Sequence, residues 1–291
     1  EGAFDVVVDT QNGVPFAAPW VTRTPVVSLV HHVHREQWPV VFNPLVARVG
    51  WFVESRVAPR VYRGRQYVTV SGRTRDELQG LGVDPDAISV IHNGTDTPIG
   101  RIAARTAHPT IVVLGRLVPH KRVELAIDVL AALRDRHPGL RLRIVGDGWW
   151  REQVAAHAQA REVTDQVDLL GFVDETTKHR ELASAWIAMA PSAKEGWGLN
   201  VVEAATHGVP TLAHHGAGGL SESILDGVTG ILVHDTEGMV EAASALLSDE
   251  ALRTRLGESA RGHARTFTWA GTIQAWDQLL AHVASGGSPI A

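Results

Sequence analysis

From about residue 110 onward the chain alternates between two hydrophobic rhythms. Apolar runs of four or five residues are separated by longer stretches with apolar residues every three to four positions. Runs of the first kind suit strands buried on both faces, and stretches of the second kind suit helices packed along one side. The pattern predicts strands over 110–114, 141–145, 167–170, 186–190, 210–213 and 230–233. It predicts helices over 120–136, 149–160, 176–185, 199–207, 219–226 and 236–247. Such alternation with short connections predicts an α/β fold with a parallel, doubly wound sheet. Two further helices follow, over 249–265 and 268–283. The second carries Trp269, Ile273, Trp276, Leu279 and Leu280 along one side, a stripe that reads as packing. The closing SGGSPIA is expected to be disordered.

The first part of the chain has its own strands, at Phe4–Val8, Pro25–Val30, Tyr67–Val70 and Ile88–Ile91. Phe42–Tyr62 has helical periodicity, and Arg48, Arg56, Arg60, Arg63 and Arg65 give it a basic face. A solvated surface explains that face most simply, with contact to anionic lipid or an anionic acceptor as the weaker reading. Thr74–Leu81 reads as a short helix stopped by Gly82. Asn93-Gly94 is turn chemistry, and residues 96–109 are polar, aperiodic and broken by glycine and proline. The domain plan is therefore 1–95, a linker at 96–109, a second domain at 110–265, and a terminal helix and tail at 266–291.

Composition narrows the picture without deciding it. The chain has 291 residues, enough for two medium domains, with 44% apolar and 20% charged residues. A net charge of −5 gives no general attraction to nucleic acid. There is no cysteine, which removes disulfides, thiolate nucleophiles and Cys-based zinc sites. No apolar run approaches the roughly 20 residues of a membrane helix. The expected location is cytoplasmic, with peripheral contact at the inner membrane face as an option.

Candidate chemistry gathers between Ala190 and Glu222. A strand end is followed by Glu195, by Gly196 and Gly198, and by a helix starting near Leu199 that carries Glu203. Glycines there let backbone approach a ligand, and the first helical amides lack internal partners and favour an anion. Carboxylates accept hydrogen bonds in pairs, which suits vicinal hydroxyls. The bland alternative is a capping and a solvated glutamate around an ordinary turn. After the strand at 25–30 come His31, His32 and His34, at the carboxyl edge where such sheets bind ligands. They read as solvated loop histidines, as a metal site lacking a convincing ligand set, or as a donor-facing group. Gly146 and Gly148 lack the third glycine and the acidic follow-up of a dinucleotide fingerprint, so NAD is discounted.

The segments EGWGLNVVEAATHGVP (Glu195 to Pro210), GRLVPHKR (Gly115 to Arg122), IVGDGWWRE (Ile144 to Glu152) and VIHNGTD (Val90 to Asp96) occur in the order found in family 4 glycosyltransferases, which the chain resembles over nearly its whole length. The resemblance implies a GT-B fold of two Rossmann-like domains and a retaining transfer of sugar from a nucleotide diphosphate sugar to a hydroxyl acceptor. It implies that Arg116 and Lys121 neutralise the diphosphate with no metal or other cofactor. It implies that Glu195 lies near the sugar hydroxyls, that Glu203 holds the ribose, and that His31, with His32 and His34 as rivals, faces the donor sugar. Gly115, Gly146, Gly196, Gly198, Leu199 and Asn200 are the implied backbone and turn contacts. The base is expected near Phe172 and Val173, although Phe172 reads equally well as a core aromatic. The last helix is expected to return to the first domain. Family members have an earlier strand and a glycine-rich loop ahead of Phe4, so the first domain is expected to be incomplete and completed by a further segment or a separate chain. The competing readings are a GT-B-type nucleotide-sugar epimerase and a nucleotide-sugar-binding subunit inactive alone.

Overall fold

The computed structural model describes residues 4–96 and 103–291. Ten strands are described, β1 (Val7–Gln11), β2 (Val26–Val30), β3 (Gln66–Thr69), β4 (Ile88–Val90), β5 (Thr110–Leu114), β6 (Arg141–Val145), β7 (Val167–Gly171), β8 (Ile187–Ala190), β9 (Thr211–His214) and β10 (Gly230–Val233). The helices are α1 (Trp38–Val41), α2 (Pro44–Phe52), α3 (Ala58–Val61), α4 (Gly72–Gly80), α5 (Glu124–Leu133), α6 (Arg151–Ala160), α7 (Glu175–Ser184), α8 (Leu199–Thr206), α9 (Leu220–Ser223), α10 (Thr236–Ser248), α11 (Glu250–Ala264) and α12 (Trp269–Ala284). They form two units, Glu1–Gly94 with Phe267–Ala291, and Thr95–Thr266.

In the first unit β1-β2-β3-β4 form a parallel sheet. β1 starts later than the apolar run suggests, and Phe4 is exposed. The strand continues instead through the polar Asp9 and Gln11, which are buried because they have partners. Asp9 accepts hydrogen bonds from the Ala18 amide (3.0 Å) and the Tyr62 hydroxyl, and Gln11 accepts from Ser28. The helix expected over Phe42–Tyr62 is three pieces, with a π-helical turn at Val53–Val57 between α2 and α3. Pro59 lacks an N–H for the preceding turn, and the widened turn accommodates that loss. All five arginines of this stretch are exposed, but so are Leu45, Val49 and Phe52, so its surface is apolar as well as basic.

α12 lies in this unit and covers one sheet face with Leu279 and Val283 against Val27, Val68 and Ile91. The expected stripe is only half used: Trp269 and Ile273 are exposed. The tail is not loose. The Ile290 amide donates to Gln66 Oε1 (2.8 Å), and its carbonyl accepts from Ser89 Oγ (2.7 Å) and Gln66 Nε2 (2.8 Å). Buried Gln66 and Ser89 would otherwise lack these partners, which is why the tail docks.

The second unit is a six-stranded parallel sheet in the order β10-β9-β8-β5-β6-β7. Alternate residues of β5 face opposite layers, as strand geometry requires. Ile111 and Val113 pack with Ile127, Leu130 and Leu133 of α5, and Val112 packs with Leu182 of α7 and Ala204 of α8. The helix expected from 120 begins only at Glu124, because Pro119–Lys121 form a 3-10 turn and Arg122 takes a left-handed φ of 50°. The helix expected over 219–226 is the single turn α9, since Ile224 is already extended. The linker expected over 96–109 falls partly on residues 97–102, outside the described residues. Beyond them Arg105 is anchored in the second unit, donating to the carbonyls of Ala183 (2.7 Å), Ala185 (2.8 Å) and Gly208 (2.6 Å).

Candidate functional site

All six strands of the second sheet run parallel, so their carboxyl ends share one edge. Glycines let the loops on that edge press together. A Cβ on Gly146 would stand 2.0 Å from the Gly115 carbonyl oxygen, and one on Gly218 would stand 2.3 Å from that of Glu195. The Gly146 amide reaches the Gly171 carbonyl (2.8 Å), and the Gly219 amide reaches the Glu195 carbonyl (2.8 Å). The turns after β5, β6 and β7 are thereby tied together, as are those after β8 and β9.

Lys121, from the turn after β5, forms an ion pair with Glu195, from the turn after β8. Ser192 Oγ donates to the same Glu195 oxygen at 2.7 Å. Both charged side chains are mostly buried, which strengthens their attraction relative to a surface pair. Gly115, Arg116, Lys121, Ser192 and Asn200 line one small crevice. Arg116 is exposed and, among the described residues, makes no ion pair. Asn200 Nδ2 donates to the Leu114 carbonyl (3.0 Å), which fixes the start of α8 against β5. α8 begins at Leu199, after Gly198 with φ 89°, and Gly196 lies in the half-buried turn before it. Its first amides open beside the crevice.

Glu203 does not share the Lys121 cluster. It pairs with Lys178 of α7 at 2.6 Å, and Lys178 also reaches Glu175 at 2.6 Å. Burial pulls the Lys178 pKa down, but the hydrogen bonds to Glu175 and Glu203 outweigh it and hold the ammonium above its ordinary value. Lys121 and Lys178 thus each reach a carboxylate on a different turn or helix. The sequence reading missed Lys178 and Ser192. Ser192 stood three positions before Glu195 and could have been noted, whereas nothing local links Lys178 to a partner 25 positions away. Phe172 is 88% exposed, which rules out the core-aromatic reading, and Val173 packs beneath on Val112 and Leu182.

His31 lies after β2 in the first unit, half-buried, with its carbonyl accepting from Thr74 Oγ1 (3.3 Å). Burial holds its imidazole pKa below the usual value. Its neighbours are not free loop histidines. His32 bonds Gln37 (3.0 Å), and His34 bonds buried Glu54 (2.9 Å), which also accepts from Trp38 Nε1 (2.7 Å). Among the described residues no group of three or more His, Cys, Asp or Glu side chains is arranged to hold a metal ion.

The chain is 33% identical over 224 residues to D-inositol 3-phosphate glycosyltransferase of Corynebacterium glutamicum (strain R), a match covering 68% of this chain and 53% of that protein. It thus spans about half the length of that relative. Its fold is similar to that of sucrose-phosphate synthase from Thermosynechococcus elongatus, with TM-score 0.82 and 18% identity over 98% of this chain and 75% of that one. It is also similar to Anabaena HepE, solved with UDP and glucose, with TM-score 0.76 and 20% identity over 91% of this chain and 73% of that one. At these identities the structural likeness speaks to fold, two parallel-sheet α/β units of the GT-B type. The description "Glycosyltransferase Family 4" matches residues 1–98 and "Glycosyl transferases group 1" matches residues 99–263, and the chain belongs to these group 1, family 4 glycosyltransferases.

Proposed function

We propose that this chain belongs to a retaining glycosyltransferase that takes a sugar from a nucleotide diphosphate donor and passes it to a hydroxyl acceptor. The observation that carries the reading is the Lys121–Glu195 pair in a crevice shared with Arg116 and Ser192, beside the amide end of α8. A diphosphate at that crevice meets two cations and unpaired helix amides. As the bond from the anomeric carbon to the diphosphate breaks, negative charge grows on the leaving oxygens, and Arg116 and Lys121 compensate it. The acceptor hydroxyl attacks on the face the diphosphate leaves, and its proton passes to the departing phosphate oxygen.

Glu195 holds Lys121 aimed before the donor arrives, and it offers its remaining lone pairs to the sugar hydroxyls. Glu203 is oriented by Lys178 toward the ribose hydroxyls, and Phe172 offers an exposed ring to the base. The structural neighbour solved with UDP and glucose makes a uridine diphosphate sugar the first donor to try. Calorimetric titration of UDP-, GDP- and ADP-sugars tests the reading. Saturable binding of one of them, lost in Lys121→Ala, is expected, and binding of none would remove it.

A further inference from the structure

The turns after β5, β8, β9 and β10 line a second pocket, of about 400 Å3 and open to solvent, that the proposed transfer does not use. Its lining includes Arg122, Ser192, His214, His215, His234 and Asp235. One guanidinium and three imidazoles face a single carboxylate there. That carboxylate is engaged already, since Asp235 Oδ1 caps α10 by accepting from the Gly238 amide at 2.8 Å. Arg122 is exposed and, among the described residues, its guanidinium makes no hydrogen bond or ion pair. Its backbone φ of 50° is one glycine would adopt at less cost, yet the position carries a long cation.

His214 supplies an independent sign of a ligand. The residue is only 8% exposed, and its Nε2 is buried without a hydrogen-bond partner. An unpaired buried ring nitrogen is costly, and a partner inside the cavity would relieve it. Burial first, and Arg122 second, hold the His214 pKa below its usual value, and an anion between the two groups would offset both effects. His215 and His234 stack with ring centroids 4.6 Å apart, and His215 Nε2 lies 3.8 Å from Asp226. With no metal-holding cluster among the described residues, these imidazoles serve best as hydrogen-bond donors.

We propose that this cavity binds a phosphate-type oxyanion between Arg122 and the three imidazoles, at a site separate from the donor diphosphate. Ser192 lines both the cavity and the donor crevice, so the two sites share a wall. The anion site itself does not rest on the transferase reading.

The test titrates inorganic phosphate into isotope-labelled protein, with the imidazole rings followed by NMR in the absence and presence of saturating UDP. Saturable shifts at His214 and at least one of His215 and His234, unchanged by UDP, are expected. In Arg122→Gly, which suits the left-handed backbone and so spares the fold, affinity should fall about 10-fold or more, the worth of one charge-assisted bond. Rings that do not respond, shifts abolished by UDP, or equal affinity in Arg122→Gly would each overturn the proposal. UDP-sugar calorimetry on the same protein reads the donor site separately, so failure of one does not imply failure of the other.

Discussion

Lys121 has two tasks on this account, and they explain why it sits on Glu195. A buried ammonium is costly unless paired, and the glutamate supplies that partner. A diphosphate then competes for the same three donors. Lys121→Ala should lower turnover by about 10²-fold or more with the fold intact, as expected for losing one preorganised charge at a developing anion. Steady-state kinetics with circular dichroism as the folding control checks this, and near-wild-type turnover would deny Lys121 its role. Lys178 acts one step removed, through Glu203. Lys178→Ala should therefore weaken donor binding more than it slows the bound complex, raising donor KM with kcat changed less. Equal losses in both would place Lys178 in the chemical step instead. Neither lysine's partner was legible in the sequence. Glu195 and Glu203 could be singled out from the turn and helix that carry them, and Arg116 and Lys121 from the family resemblance, but which cation meets which acid is decided by how the sheet is threaded.

At the scale of elements, α7, α8 and the loop after α8 meet around a buried pair of histidines. His179 Nδ1 and His207 Nε2 lie 2.8 Å apart, and the His207 carbonyl accepts from Arg105 (3.2 Å) and Arg261 (3.3 Å). Burial, then His179 and the cations Arg105, Arg261 and Lys178, push the His207 pKa down to about 4. The unfolded chain holds this proton below about 6.5, so the unfolded state binds more protons than the folded one between those values. Stability contributed by neutral His207 is thus complete above about 6.5 and is lost as pH falls toward about 4. The urea midpoint should drop across that window in the protein and drop less in His207→Gln. Parallel pH profiles for the two would contradict the assignment. Elements differ in how well they could be read. β5 and β10 end where their apolar runs end, because each is covered on both faces. The π-helical turn before Pro59 and the left-handed Arg122 left no periodic trace, since each alters the backbone path and not the hydrophobic pattern.

For the molecule as a whole, the division into two units has an energetic signature. α12 is distant in sequence from the sheet it covers, and Leu279 is buried against Val27 and Val68 of the first unit. Leu279→Ala should cost that unit about 2–5 kcal/mol, the usual toll of an emptied core site. Thermal unfolding monitored with and without UDP checks this: the transition that UDP does not raise should move down, and the UDP-sensitive one should hold. Movement of the UDP-sensitive transition alone would assign α12 to the wrong unit. The parallel sheet of the second unit was legible from alternation and the GT-B type from the family resemblance, whereas the docking of the tail was not, because Ile290 is held by backbone groups meeting buried Gln66 and Ser89. The central claim is that the crevice at the carboxyl edge of the second sheet takes a nucleotide diphosphate. A crystal structure of the protein with UDP bound tests it most directly. The account predicts diphosphate oxygens within hydrogen-bond reach of Lys121 Nζ and the Arg116 guanidinium, with the ribose at Glu203; UDP seated elsewhere, with the Lys121–Glu195 pair undisturbed, would contradict it.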